Sequence, residues 1–393
     1  MTEIKQERLA SLDVYRGATM LFMVSEIMRI SRVTDSFPGN PFWQFISFQT
    51  SHVAWTGWSM WDLIQPSFMF MVGVALPWSI ASRKAKGQTH RDLWLHTLWR
   101  AFALVALGIF LRSVGKPQTN FTFEDVLTQI GLGYPVLFWL GWQSARIQGI
   151  AAAAILVGYW MLFALFAAPG AGFDWPAVGV AEGWPHHLNG FANHWDKNSN
   201  FAAWFDQWFL NLFTRSKPFV FNGGGYLTLN FIPSLATMIF GLLAGELLRS
   251  DNSSDEKVKI LLKAGAAGII AGWALDVLGI CPMVKRIWTP SWALFAGGCT
   301  CWLLLLFYWL IDVKQWRSWI FPFTVVGMNS IAMYCLVHLI DRFVGESLKV
   351  HFGREVFSIF GIAFASVLEG GTVLVVLWLI CYWMYQRKLF IRI

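Results

Sequence analysis

Charge is what this sequence has least of. Asp, Glu, Lys and Arg make up 13% of its 393 residues, against about a quarter in soluble domains. A soluble chain of this length needs more polar surface than that to stay in solution, so a water-soluble globule is disfavoured. Cysteine is scarce as well. Cys281, Cys299, Cys301, Cys335 and Cys381 lie mostly in apolar stretches, no CxxC occurs, and Cys299 and Cys301 point to different faces of a helix. That argues against a disulfide framework and against a metal site. No cleavage site follows the first apolar run, so the polar start MTEIKQERLA reads as an uncleaved N-terminus. No soluble-domain stretch, low-complexity tract or clear internal repeat is present, and no inverted repeat of the transporter kind stands out.

What is abundant is apolar surface. Hydrophobic residues make up 56% of the chain, with 24 Trp and 34 Phe, and the mean hydropathy is +0.50. A membrane-spanning helix needs roughly 20 mostly apolar residues. Candidate spans fall at 13–30, 61–82, 96–113, 124–143, 149–168, 226–248, 262–280, 291–311, 320–340 and 361–385. Each must be helical, because an open sheet edge cannot be satisfied in lipid. The expected fold is an all-α polytopic membrane helix bundle of about ten transmembrane helices, forming a single domain over 1–393. The net charge of +7 sits between the apolar runs. It therefore points to topology and anionic lipid rather than to nucleic acid. Lys and Arg are more frequent in the segments that lie inside when the N-terminus is inside, which favours N-in and C-in in a multi-pass inner (plasma) membrane protein. Lys5, Arg8, the SRKAKG segment and the C-terminal QRKLFIRI, which ends in Arg392 and Ile393, contribute to that bias. This topology leaves a long extracytoplasmic loop or lid at 169–225, carrying Trp175, Trp184, Trp195, Trp204 and Trp208. Its FAAWFDQWFLNLF run can lie along the membrane surface as an interfacial belt, or its rings can stack on a sugar.

Ionisable or strongly polar residues near a span cost a few kcal/mol and mark partners or water-filled cavities. Those here are Asp13, Arg16, Glu26, Arg29, His52, Asp62, Gln129, Asn230, Lys285, Asn329 and His338. Asp13 and Arg16 fit an i,i+3 ion pair with helix capping by Asp13, or a phosphate contact by Arg16. His52 lies in SHVAWTGWSMWDL, a loop before the second span in which Trp55, Trp58 and Trp61 are expected to wall it in. An imidazole titrates near neutral pH, which suits a general base. Asp62 can cap the following helix or orient that imidazole. Asn329 and His338 are two and a half turns apart on one helix, so they need not meet one ligand, and interhelical hydrogen bonding explains each as well as function does.

Four blocks, RLASLDVYRG, SHVAWTGWSMWDLIQPSFMFMVGVALPWSI, NFIPSLATMIFGLLAGELLRS and WLIDVKQWRSWIFPFTVVGMNSIAMY, together resemble the heparan-alpha-glucosaminide N-acetyltransferase family, within the wider group of transmembrane acyltransferases. They are distributed over residues 8–342 and occur in the family's order. The resemblance implies an enzyme that takes acetyl from cytoplasmic acetyl-CoA, with no metal, and delivers it to an amino sugar across the membrane. His52, Trp55 and Gly57 match the H-x-x-W-x-G context of the family's catalytic histidine. Asp13, Arg16 and Gly17 match S-x-D-x-x-R-G, and Gly327, Met328 and Asn329 match G-M-N. Two departures stand out. Ile27, beside Glu26, occupies the place of an asparagine that assists the histidine in many relatives. GGGYLTLNFIP replaces the common D-P-E-G-L and lacks its acidic group.

The implied chemistry makes His52 the base, with Asp62 or Glu26 orienting it and Asn329 stabilising the oxyanion. Asp13, Arg16, Asn230 and Ser330 are expected to hold the acetyl-CoA, and Trp55, Trp58, Lys285, Trp288 and His338 the acceptor. Direct transfer in a ternary complex is the first mechanism, and a ping-pong route through acetyl-His52 is the other. Expected partners are an amino-sugar or glycan acceptor, membrane lipid and a second copy in a homodimer. The competing classes are an O-acyltransferase acting on a cell-envelope glycan and a polytopic transporter.

Overall fold

A computed structural model describes residues 9–391, so Lys5, Arg8, Arg392 and most of the polar N-terminal stretch lie outside the described residues. Among the described residues of the chain, the regular elements are helices, joined by loops. Its α-helices are α1 Ala10–Val24, α2 Val33–Ser36, α3 Pro41–Gln49, α4 Ile64–Ala85, α5 His90–Ser113, α6 Val126–Leu140, α7 Ala145–Ala164 and α8 Phe201–Phe209, then α9 Phe231–Arg249, α10 Ser254–Val277, α11 Pro290–Phe307, α12 Phe321–Met328, α13 Ser330–Phe352 and α14 Ala365–Gln386. Every apolar run read from the sequence overlaps one of them. Seven helical stretches among the described residues are long and apolar enough to cross a membrane, and the bent pair α12–α13 makes up to eight. Helices α1 and α6 have 15 residues each, short of the roughly 20 that span the hydrocarbon core. All five cysteines are free thiols.

The chain divides into two compact units. One holds the described residues up to Ser51, with Ser254–Val258 and the described residues from Trp302 on. Within it, α1 crosses α12 backbone to backbone. A Cβ on Gly17 would stand 1.8 Å from the Phe323 carbonyl oxygen, and one on Gly327 1.8 Å from that of Asp13. The glycines matched in the two sequence motifs are therefore contact points that only glycine permits. This unit also corrects the reading of 320–340 as one straight helix. Helices α12 and α13 meet at 79°, and the break falls on Asn329, whose φ of −127° and ψ of 34° leave the helical region.

The other unit holds His52–Ser253 and Lys259–Cys301. Its centre is the crossing of α4 with α9, where a Cβ on Gly73 would meet the Met238 carbonyl oxygen at 1.8 Å. An aromatic cluster of Trp55, Tyr159, Phe163 and Trp195 packs beside it with Leu227, Val284 and Ile287. The 169–225 segment therefore supplies core residues to this unit. Only part of it is open: in α8, Trp204 and Trp208 are 54% and 58% exposed and lie four apart, on one face.

Candidate active site

The site is built where a loop runs into a helix. Ser59 caps the turn Met60–Leu63, with Asp62 reaching back to it in a capping box. Asp62 Oδ2 accepts from Ser59 N at 3.1 Å, Ser59 Oγ at 3.0 Å and Val53 N at 3.4 Å. Its other oxygen, Oδ1, lies 2.7 Å from His52 Nδ1. Capping and orienting the imidazole, set out as alternatives above, are one function split between two oxygens. A carboxylate surrounded by donors accepts only, so the Nδ1 proton points at Asp62 and the lone pair is left on Nε2. Asp62 is fully buried while the His52 side chain keeps 38% of its exposure.

A second segment closes the back. Thr56 pairs with Val284 in an isolated β-bridge, and Gly57 N donates to the Met283 carbonyl at 3.0 Å. This brings Lys285 to the dyad: its Nζ is 3.8 Å from Asp62 Oδ1 and 3.4 Å from His52 Nδ1, and it donates to the Tyr226 hydroxyl at 3.2 Å. Arg286 clamps the loop, donating from Nε and Nη2 to the Val53 carbonyl at 3.2 and 3.1 Å and from Nη1 to the Gly224 carbonyl at 2.7 Å. Asn230 donates to the Arg286 carbonyl at 2.8 Å, and its buried Oδ1 lacks a hydrogen-bond partner among the described residues. The ring beside His52 belongs to Tyr226, edge-on at 6.3 Å.

The tryptophans expected to wall in His52 are placed differently. Trp55 is fully buried and donates to the Trp195 carbonyl at 3.2 Å, and Trp61 is 5% exposed. Only Trp58 keeps an open face, packed against Phe295 at 5.2 Å. Trp288 is buried in a left-handed turn and bonds Thr237 Oγ1 at 3.3 Å. Neither Trp55 nor Trp288 offers a face to an incoming acceptor. Tyr226 and Arg286 were not singled out from the sequence. Arg286 carried the signal that marked Lys285, a cation beside an apolar run, whereas Tyr226 looked like one more interfacial aromatic.

The remaining residues belong to the other unit. Arg16 pairs with Asp13 at 3.6 Å, as the i,i+3 spacing requires. Capping by Asp13 is not found: the N-cap of α1 is Leu9, and no side chain caps it. Glu26 is exposed in the single turn Ser25–Met28. Asn329 is fully buried, its Oδ1 accepting from Ile391 N at 3.3 Å, and Ser330 begins α13. His338 donates from Nδ1 to the Tyr334 carbonyl at 2.9 Å within its own helix and lies over that ring at 4.4 Å.

Burial holds the His52 imidazole below its ordinary 6.5. The hydrogen bond to Asp62 opposes this, and the charges of Lys285 and Arg286 reinforce it. At neutral pH the ring is therefore neutral and able to take a proton. Replacing Lys285 with methionine removes a nearby positive charge, so the His52 titration should move to higher pH. NMR of histidine-labelled protein measures this, and an unmoved or lowered midpoint contradicts the assigned cause.

A half-open imidazole held by a buried carboxylate and backed by a buried lysine is the candidate site of this helical membrane protein. Over 98% of its length, the chain is similar to the curated protein "Heparan-alpha-glucosaminide N-acetyltransferase" of Homo sapiens at 22% identity, and to the protein of that name in Mus musculus at 24%. It spans 60% of the length of each. No family model matches.

Proposed function

We propose that this chain is a membrane acetyltransferase that moves acetyl from acetyl-CoA to an amino sugar, with His52 as the general base. The observation that carries this reading is the 2.7 Å contact between His52 Nδ1 and the buried Asp62, which leaves Nε2 as the basic atom. The similarity to N-acetyltransferases along nearly the whole chain supports the reaction class. In the proposed step the acceptor nitrogen attacks the thioester carbonyl carbon and His52 Nε2 takes the amine proton. The carbon–sulfur bond then breaks, and CoA leaves as the thiolate and takes up the proton. Asp62 fixes the tautomer and balances the imidazolium that forms. In this reading both termini face the cytoplasm of an inner membrane and His52 faces outward, which accords with the Lys and Arg distribution.

Purified protein incubated with labelled acetyl-CoA and either glucosamine or glucose tests the proposal by mass spectrometry. The expected product is N-acetylated glucosamine, with CoA released in equal amount. Acetyl on glucose but not on glucosamine would assign an O-acyltransferase. Neither transfer nor CoA release would leave the transporter class standing.

A further inference from the structure

Glu124 is a carboxyl that the proposed reaction does not use. It directly precedes Asp125, the N-cap of α6, and is half-buried. Its Oε2 accepts a hydrogen bond from Asn222 Nδ2. Asn222 in turn shapes the glycine-rich turn that follows it, its Oδ1 accepting from Gly224 N at 2.8 Å and Tyr226 N at 3.2 Å. Tyr226 is the residue whose hydroxyl meets Lys285 and whose ring stands beside His52.

A second line leads to the same place. The Glu124 carbonyl accepts from Gln129 Nε2 at 3.0 Å, and Gln129 Oε1 accepts from Gln65 Nε2 at 3.1 Å. Gln65 lies three residues after Asp62, on the same face of the helical stretch. One hydrogen-bonded line thus joins Glu124 to the lysine behind His52, and the other ends at Gln65 in the first turn of α4, the helix that follows the turn carrying Asp62. The glycine-rich turn, Asn222–Tyr226, contains no acidic residue of its own, and Glu124 supplies one from the start of α6. A carboxylate offers about four acceptor sites and no donor; Asn222 and the Thr122 side chain each take one, which leaves about two.

We propose that Glu124 is a specificity-determining residue that accepts hydrogen bonds from ring hydroxyls of the acceptor sugar, held in place for this by Asn222. The proposal rests on the acetyl-transfer reading above. Vicinal hydroxyls are the donors that a fixed carboxylate grips best, and charge-assisted bonds of this kind are roughly twice as strong as neutral ones. Arg112 places a positive charge near the Glu124 carboxyl, and Asp125 and Asp206 place negative ones. Arg215, which bonds the Phe121 carbonyl, is a further cation acting on it. Hydroxyl donors that bond the carboxylate favour its charged form.

Glu124→Gln tests this, because the amide oxygen can still accept from Asn222 and hold the turn. The KM for glucosamine should rise about tenfold, the scale of one hydrogen bond to a charged group. The KM for acetyl-CoA, kcat and the thermal midpoint should stay as in the wild type. Among the 3-deoxy, 4-deoxy and 6-deoxy glucosamines, at least one should lose about tenfold against the wild type and nothing against Glu124→Gln. Equal losses on both proteins, or a rise in both KM values together, would overturn the proposal and leave Glu124 a structural staple. Calorimetric binding of glucosamine separates the two levels. If the wild type binds and acetylates glucosamine and Glu124→Gln binds it equally well, this inference alone falls. If the wild type neither binds nor acetylates it, the acetyl-transfer reading falls and this inference with it.

Discussion

Replacing His52 with alanine should cut acetyl transfer by about 100-fold to 10,000-fold, the range expected when a general base is lost. The structure makes this a clean test. The His52 side chain keeps 38% of its exposure, so truncation opens no sealed cavity. Asp62 keeps its three donors from Ser59 and Val53, and Lys285 beside it, so the turn behind the histidine should remain folded. The loss should fall on kcat, with the KM for acetyl-CoA and the thermal midpoint near the wild-type values. Steady-state release of CoA measures it. Wild-type turnover by His52→Ala protein would remove the base from the mechanism.

Asp62→Asn should lower turnover by about 10,000-fold, for a different reason. The amide has almost the shape of the carboxylate, but it can donate to Nδ1. The ring then carries its proton on Nε2, the atom that must receive one. Stability should suffer too. The Lys285 side chain is 5% exposed and Asp62 0%, and breaking a buried pair costs about 3–5 kcal/mol. The variant should therefore melt at lower temperature, and activity must be read well below that midpoint. If turnover falls only in proportion to the unfolded fraction, the tautomer argument is wrong and Asp62 is a cap alone.

How much of this was legible in the sequence follows from chain distance. His52 and Asp62 are ten residues apart, within one loop and one helix turn, and local rules of capping and imidazole chemistry reach that far. Lys285 was visible as a cation that an apolar region should not tolerate, but its partner was not, because the contact closes 233 residues of chain. Asn222 and Glu124 meet across 98 residues, and no local pattern records that. The three tryptophans near His52 misled for a related reason: hydropathy marks a ring as apolar without saying whether it faces a cleft or the interior. Trp55 is turned inward by Trp195, 140 residues away. The break at Asn329 was hidden in an unbroken apolar run with no proline at the bend. Its amide oxygen is instead occupied by the backbone of Ile391.

Arg286 bonds two carbonyls on separate segments, that of Val53 beside the histidine and that of Gly224 beside Tyr226. The two sides of the site are thereby geared together. One planar guanidinium thus acts as a cross-brace, and a displacement of the glycine-rich turn is resisted by the loop that carries the histidine.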